Sequence, residues 1–432
     1  MGTKALGRGA RLLVPGLLWI LASSPVSAGP QRLALSQIVK ISIENNGDLK
    51  SFRDEKGIRD AGKIRAGLLP NPTLDFEGST GALTGNSSEN SLSLGISQEF
   101  LLAGKRTKRL ASAERELELY QRQLADRERL LRDEVKTAFY DVVLAEARII
   151  LADRAIALNR QLLDVAKERL AAGDIPELEM NFVMVELARS EGLKIDAEKT
   201  LTQNQVRLWM LMGLSLGDHP SIDGTLESAQ SITNNLSELK ELALRQRPDL
   251  KALEAEKNRG EADIRLAQAE SIPNLTAGLA VSRDSTTMEI GGIEGKDTAN
   301  TIGLKLSMPI PVFDRNQAGV QEARAKRSST ESRLIAATRN VEREVEMAYA
   351  GFLNTEKVLS LFKSNIIPQL EDNLELTQEA YRLGEVGILT VIEEQKKFFE
   401  VSDGYLKALY DRQAALVMLE TAVATELGGG VQ

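Results

Sequence analysis

A seven-residue repeat of apolar side chains limits what this chain can fold into. Leucine and alanine recur at strict sevens from Leu110 to Ala152, and a second apolar series follows four residues behind, from Val135 to Leu170. This spacing is the a/d seam of a left-handed coiled coil. No proline or glycine interrupts the stretch before Gly173, so roughly 66 residues at ~1.5 Å each predict a rod of order 100 Å. A helix of that length spans a gap and does not enclose a compact active site.

The composition excludes several classes of function. Acidic residues outnumber basic ones by 62 to 54, which leaves no basic footprint for nucleic acid. The sequence has no cysteine and one histidine, His219, so disulfides, thiol catalysis and most zinc or copper centres are excluded. We therefore expect neither an enzyme nor a cofactor, and no metal site.

Residues 1–28 have the pattern of an export signal. Basic residues precede an apolar stretch at 12–22, and small residues at 26–28 form a cleavage site. The mature chain would begin near Gly29, and without a cysteine there it would carry no lipid. No later apolar run approaches the ~18 residues of a transmembrane helix. A membrane could therefore hold the mature chain only as a barrel.

The remaining sequence contains the same order of elements twice: a helix, a strand, a loop, a strand and a long helical hairpin. We expect a first repeat at 29–213, a polar linker at 214–237, a second repeat at 238–427 and a tail at 428–432. Three short sequence motifs recur at matching positions of the two repeats: Asp48-Leu49-Lys50 as Asp249-Leu250-Lys251, Pro70-Asn71 as Pro273-Asn274, and Glu134-Val135 as Glu344-Val345. We interpret the pattern as an internal duplication.

Alternating apolar and polar residues predict two short strands in each repeat. The strands are expected at 73–78, 91–101, 274–282 and 301–310, with Gly- and Ser-rich loops at 79–90 and 283–300, and with helical hairpins at 105–213 and 316–427. Pro368 lies inside the first arm of the second hairpin and should kink it.

Four strands with one apolar face each leave two open edges, which lipid does not tolerate. If the strands lie in a membrane, several chains must share one closed barrel. The alternative is a water-soluble four-stranded sheet packed on helices, which also hides an apolar face. Each apolar seam of the rods needs a neighbour as well, so hairpins repeated around an axis would form a hollow cylinder.

Five motifs in a fixed order carry a family resemblance. They are Leu69-Pro70-Asn71-Pro72, Gln98-Glu99-Phe100 with Gly104-Lys105-Arg106, Ala172-Gly173-Asp174-Ile175, Arg247-Pro248-Asp249-Leu250, and Pro309 to Gln317. With the duplication, the chain resembles the TolC-type outer-membrane efflux factors, most closely their CzcC-like heavy-metal branch. The resemblance implies a mainly α-helical homotrimer, whose four strands per chain make a shared twelve-stranded transmembrane β-barrel in outer-membrane lipid, continued by a periplasmic coiled-coil tunnel. It also implies a periplasmic adaptor protein and an inner-membrane pump of the resistance-nodulation-division type.

In that family the tunnel narrows at its tip, where acidic side chains at the start of each returning arm form a ring. Carried over to this sequence, the turn at Gly173 places Glu179 at that level, and the turn at Gly387 places Glu393 there, six residues on in each case. A further acidic position of the family is Thr390 here, so that level carries less charge. Carboxylates crowded in a narrow pore attract cations. The plainer interpretation is that both are solvated helix charges.

The resemblance further implies that the hairpin turns contact the adaptor. The residues concerned are Ala172, Gly173, Asp174 and Ile175 in the first hairpin, and Gly384, Glu385 and Gly387 in the second. Gly and Pro also explain these turns simply as tight connections between helices.

Three functions stay open at this point. The first is an outer-membrane exit duct for heavy-metal cations such as cobalt, zinc, cadmium, nickel or copper. The second is the same duct for drugs or small organic molecules. The third is a periplasmic coiled-coil scaffold without a pore. The residues do not separate the first two, because selectivity in such a system would lie in the pump.

Overall fold

The computed structural model describes residues 32–83, 87–215, 220–227 and 232–427. The predicted export signal at 1–28, the tail at 428–432 and His219 lie outside these ranges.

The first repeat consists of three short helices, two strands and one long hairpin. Its elements are β1 (Leu33–Ala34), α1 (Leu35–Asn45), α2 (Gly47–Asp54), α3 (Lys56–Gly67), β2 (Thr73–Thr80), β3 (Asn90–Phe100), α4 (Lys105–Ala172) and α5 (Glu177–Leu211). A short strand β4 (Ile222–Asp223) pairs in parallel with β1.

The second repeat has the same order. Its elements are α6 (Leu236–Gln246), α7 (Pro248–Glu270), β5 (Leu275–Ile290), β6 (Ile293–Ser307), α8 (Gln317–Leu361), α9 (Ile367–Arg382) and α10 (Ile388–Val423). None of the described helices is both long enough and apolar enough to cross a membrane.

The duplication is visible in the backbone where each repeat begins. Asn46 separates α1 from α2 with φ −56° and ψ 126°, and Arg247 separates α6 from α7 with φ −57° and ψ 121°. The side chains then differ. Asn46 caps α2 by accepting from the Leu49 N–H at 3.0 Å, whereas the buried Arg247 pairs with Asp249 and Glu344, each at 2.6 Å. The predicted internal duplication is confirmed, with different polar contacts holding the same bend.

The heptad seam of α4 is buried as expected. This helix runs for 68 residues, and Val135, Ala138 and Val142 on its seam have no exposed surface. They pack into a core with α1, α5 and α10, and the second repeat has a matching core around Val345 and Leu419. The long rods are thus held by side-chain packing, which supplies most helical stability in proteins.

The second arm is interrupted just before the predicted kink. α8 ends at Leu361, residues 362–366 form a turn of π-helix, and α9 follows with Pro368 in its first turn. Proline has no N–H to donate into the preceding turn, which suits a position directly after a wide π turn.

The four longer strands form one antiparallel sheet in the order β2-β3-β5-β6. The strands of the second repeat are longer than predicted, because β5 and β6 continue through most of the region 283–300, for which the sequence predicts a loop. They meet at a two-residue turn of Gly291 and Gly292 with φ of 63° and 84°, the conformation that a tight hairpin requires. That prediction was wrong because the outer strand segments are polar and their alternation carries no apolar signal.

Candidate functional site

One face of the sheet is apolar and exposed in the single chain. Cross-strand partners share a face, and the register aligns two complete rows of large apolar residues across all four strands. These rows are Leu74, Ile96, Leu279 and Leu304, followed by Phe76, Leu94, Val281 and Ile302. Each of these eight side chains is at least half exposed. An apolar surface this continuous marks a contact with a partner or with lipid.

The opposite face is polar and internally hydrogen-bonded. The Ser97 hydroxyl donates to Asp75 at 2.8 Å, and the Ser91 hydroxyl donates to Asp284 at 2.6 Å. A sheet that is apolar on one side and polar on the other suits a wall between lipid and water. Among the strands that the structure describes, β2 and β6 each pair on one side only, so such a wall needs strands from further chains to close.

A buried polar contact joins this sheet to the rods. The Lys105 ammonium, at the start of α4, donates to the Asn274 side chain at 2.6 Å, and the Asn274 amide donates to Glu99 at 2.6 Å. Lys105 is only 5% exposed. The contact ties the end of β3, the start of β5 and the first turn of α4. The sequence pattern alone does not reveal this contact, although Glu99, Lys105 and Asn274 all lie in recurring or family-like motifs.

The two hairpin tips have the same backbone. Gly173 and Gly384 adopt φ of 83° and 81° at the ends of their helices. The next N–H in each case returns to the helix, from Asp174 to the Arg169 carbonyl at 2.9 Å and from Glu385 to the Ala380 carbonyl at 2.8 Å. This is the Schellman arrangement, in which a left-handed glycine ends a helix.

The tips also pack on each other within the chain. Ile175, Ile388 and Tyr381 are buried in a shared apolar cluster. Arg169, near the end of α4, donates to the Tyr381 carbonyl at 3.0 Å, and its guanidinium lies 4.8 Å from the centre of the Tyr381 ring. Burial raises the pKa of the Tyr381 phenol above its ordinary value. Nothing in the sequence pattern pointed to this pair.

The predicted equivalence of Glu179 and Glu393 is corrected by the turn geometry. The left-handed glycines are Gly173 and Gly384, whereas Gly387 has φ −84° and precedes α10. Glu179 is therefore matched by Thr390, the residue in the same place after the turn. Their N–H groups make matching bonds, to Pro176 O at 3.0 Å and to Gly387 O at 3.1 Å. Glu393 lies three residues further into α10.

The three candidate pore residues differ in their surroundings. Glu179 is partly buried near Tyr381, while Thr390 and Glu393 are exposed. No ion pair is formed by either glutamate within the described ranges. Neither carboxylate is therefore neutralised by a partner in the part of the chain that the structure describes. Across the same ranges, no three His, Asp or Glu side chains converge in a way that could hold a metal ion.

Comparisons with known proteins agree with this architecture. The family model described as outer membrane efflux protein matches residues 50–214 and 239–425. The cobalt-zinc-cadmium resistance protein CzcC of Cupriavidus metallidurans is 25% identical over 383 residues, which cover 89% of this chain and 87% of that protein. The cation efflux system protein CusC of Escherichia coli O157:H7 is 25% identical over 416 residues, covering 91% and 86%. A crystal structure of CusC superimposes with a TM-score of 0.73 at 21% identity, covering 92% of both chains.

Proposed function

The chain belongs to the outer membrane efflux protein family, and from that membership we propose that it is the exit duct of a tripartite system that expels heavy-metal cations. Three copies would join their four-stranded sheets into one barrel and their hairpins into one periplasmic tunnel. A periplasmic adaptor and an inner-membrane pump of the resistance-nodulation-division type would deliver the cargo. The duct makes and breaks no covalent bond, so we expect no enzymatic activity.

The observation that carries the choice of cargo is the likeness to a cobalt-zinc-cadmium resistance protein along nearly the whole of both chains. The geometry supports the duct itself. Closure of the sheet into a barrel pairs the backbone groups of its two open edges, and lipid covers its exposed apolar face. On a soluble scaffold the same face would be exposed to water.

Deletion of the gene tests the cargo. We expect the deletion strain to lose resistance to one or more of cobalt, zinc, cadmium, nickel and copper, and plasmid-borne wild-type protein should restore it. Growth defects confined to a panel of drugs, with all metals tolerated as before, would replace this cargo with organic molecules.

We propose that Glu179 and Glu393 bias the tip of the tunnel toward cations. Their lack of ion-pair partners in the described chain leaves their charge unneutralised, and a ring of carboxylates in a narrow pore favours cations. Single-channel recording in planar bilayers should show a lower cation-over-anion permeability ratio for Glu179→Ala/Glu393→Ala than for wild type. An unchanged ratio in the double variant would refute the role.

We propose that the two tip turns contact the adaptor. Both turns present exposed residues at the far end of the rods, with Asp174 and Glu385 in matching positions. The chain has no cysteine, so Asp174→Cys and Glu385→Cys give single, clean attachment points for a cross-linker. Capture of the adaptor from these positions is expected, and Ile150→Cys, exposed at mid-rod, is the control. Capture from Ile150→Cys alone would contradict the proposal.

A further inference from the structure

The apolar face of the sheet becomes cationic at one row of residues. The row that follows Phe76, Leu94, Val281 and Ile302 consists of Gly78, Leu92, Arg283 and Asn300. One row further on, the same face carries Thr80, Asn90, Ser285 and Thr298, and Lys296 comes one row after that. Arg283 therefore lies on the lipid-facing side of the sheet, at the boundary between its apolar and polar parts.

This boundary lies at the end of the sheet that is remote from the rods. The helices connect at the opposite end, because β3 ends at Phe100 shortly before α4 and β5 begins at Leu275 shortly after α7. From Phe100 to Leu92 the strand covers eight residues, about 27 Å at ~3.4 Å each, which a tilt of about 40° reduces to roughly 20 Å across the membrane. With the rods in the periplasm, Arg283 lies toward the outer edge of an apolar band about 25 Å tall, from which a long arginine side chain reaches the headgroups of the outer leaflet.

The surface around Arg283 is a shallow, open groove. An open groove of about 470 Å³ is lined by Gly78, Ser79, Thr80, Asn90, Ser91, Leu92, Arg283 and Ser285. Gly78 leaves space in its floor, since the closest atom to a side chain added there would be Leu92 Cδ1 at 3.9 Å. The groove therefore has an apolar lower edge at Leu92 and hydroxyl groups along its upper edge.

The two cationic side chains on this face have no ion-pair or hydrogen-bond partner in the described chain. Arg283 and Lys296 are both exposed, and neither side chain makes an ion pair or a hydrogen bond to another residue of the described chain. Asp284, the neighbouring carboxylate, points to the opposite face, where it accepts from Ser91 at 2.6 Å and Ser282 at 3.0 Å. A cation at a lipid boundary without a protein partner is placed to bind an anion of the lipid.

We propose that this groove binds the phosphate groups of an anionic glycolipid of the outer leaflet, with Arg283 in the groove as the principal ligand and Lys296, two rows beyond it on the same face, as the second. A guanidinium can hold a phosphate through two parallel N–H···O bonds, and the hydroxyl groups of Thr80 and Ser285 can donate to its other oxygens. The acyl chains of the same lipid would lie along the apolar rows below. The inference depends on the outer-membrane location of the sheet and is independent of the cargo of the duct.

The test counts lipids on the full-length oligomer, purified in detergent and mixed with bis-phosphorylated lipid A, its mono-phosphorylated form or phosphatidylglycerol. Native mass spectrometry gives the number bound. We expect wild type to prefer bis-phosphorylated lipid A, and Arg283→Gln/Lys296→Gln to bind it at least about three-fold more weakly, the effect of losing one or two exposed ion pairs. Arg283→Lys should keep part of the binding, because it retains the charge and loses the planar fork.

The matched control is Lys305→Gln. Lys305 is on β6 as well, but it pairs with Gly278 and faces the polar side of the sheet, so its loss should leave lipid binding unchanged. Equal binding by wild type and the double variant, or an equal loss in Lys305→Gln, would overturn the proposal. Wild-type protein that bound phosphatidylglycerol as well as bis-phosphorylated lipid A would also overturn it, without any variant. Channel conductance reports separately on the proposed duct.

Discussion

The two helical hairpins are copies that end alike and differ along their length. Both tips close with a left-handed glycine and a matching return hydrogen bond. The outgoing arm of the first hairpin is the unbroken helix α4, whereas the outgoing arm of the second is divided into α8, a π turn and α9. Duplication has therefore preserved the turn more strictly than the rod that leads to it.

The spacing between the repeats explains the π turn. Val135 and Val345 are matched core residues 210 positions apart, but Gly173 and Gly384 are matched turn residues 211 positions apart. The second arm therefore contains one extra residue between core and tip. A π turn is the way in which an α-helix absorbs one added residue, and it does so without rotating the helix on either side. The insertion has left both the inner core and the tip in place.

The largest expected difference between the arms follows from deletion of one residue in each. Removal of Asp153 from α4 would rotate everything beyond it by about 100° and take the buried Leu162 and Ala166 away from their neighbours. Removal of Ser364, an exposed residue of the π turn, should convert that turn to α-helix and leave α9 in phase. We expect the first deletion to abolish the assembled oligomer on size-exclusion chromatography and the second to preserve it.

Side-chain effects in this experiment are separated by Asp153→Ala and Ser364→Ala. Asp153 pairs with Lys194 at 2.8 Å, half exposed, so its substitution alone should cost less than about 1 kcal/mol. If the two deletions reduce the amount of assembled oligomer equally, the π turn does not accommodate an inserted residue.

The next largest difference concerns a matched aromatic pair. Phe139 is 2% exposed and packs in the core of the first repeat, whereas its counterpart Tyr349 is only partly buried in the second. Phe139→Ala should destabilise by about 3–4 kcal/mol and Tyr349→Ala by about 1–2 kcal/mol. Thermal unfolding followed by circular dichroism in detergent measures both. Equal losses would indicate that the two cores are equally tight.

A smaller difference in stability is expected at a matched pair of glutamates, where replacement by glutamine should destabilise one repeat and not the other. Glu356 pairs with Arg412, which is 4% exposed. Glu146, 210 positions earlier, has no ion pair among the described residues, and burial raises the pKa of its carboxyl. Glu356→Gln should destabilise by about 2 kcal/mol, since it removes the carboxylate from a buried guanidinium. Glu146→Gln should be neutral or stabilising at neutral pH.

The pH dependence of the melting temperature of Glu146→Gln tests whether the charge of Glu146 causes the change in stability. A carboxyl whose pKa is raised in the folded protein contributes stability at low pH, and that contribution is lost as the pH rises through the raised pKa. Glu146→Gln should therefore raise the melting temperature by roughly 1–2 °C at about pH 8 and leave it unchanged near pH 4. A stabilising effect that is equal at both pH values would show that the charge of Glu146 is not the cause.

The smallest expected effect is at the tips. Thr390 occupies in the second hairpin the place that Glu179 occupies in the first, so Thr390→Glu would make the two tips alike in charge. We expect the cation-over-anion permeability ratio to rise by about two-fold, with Thr390→Gln as a neutral control of similar size. A ratio that stays the same in Thr390→Glu would place this residue away from the ion path.

The sequence predicted the parts of the fold that have a strong apolar period. The heptads of α4 and the alternation around Leu94 and Ile302 both correspond to real elements, because burial or lipid contact selects one face. The outer halves of β5 and β6 were missed, since polar residues on both faces leave no such signal. The tip was misaligned for a local reason: of Gly384 and Gly387, only the first has positive φ, and a sequence does not distinguish them.

Contacts between distant segments were outside the reach of pattern analysis. Arg169 and Tyr381 come from different repeats, and no spacing rule relates them. The groove at Arg283 depends on the pairing of three strands, so it became visible only when the register was known.

The buried Lys105–Asn274–Glu99 contact has a mechanical consequence. It fastens the first turn of a 68-residue helix to two strands of the sheet, with an ammonium that cannot leave its partners without water to replace them. Helix α4 and the sheet are therefore rigidly connected at this contact. A twist applied at the periplasmic end would reach the strands as torque, and the membrane part would turn with the tunnel.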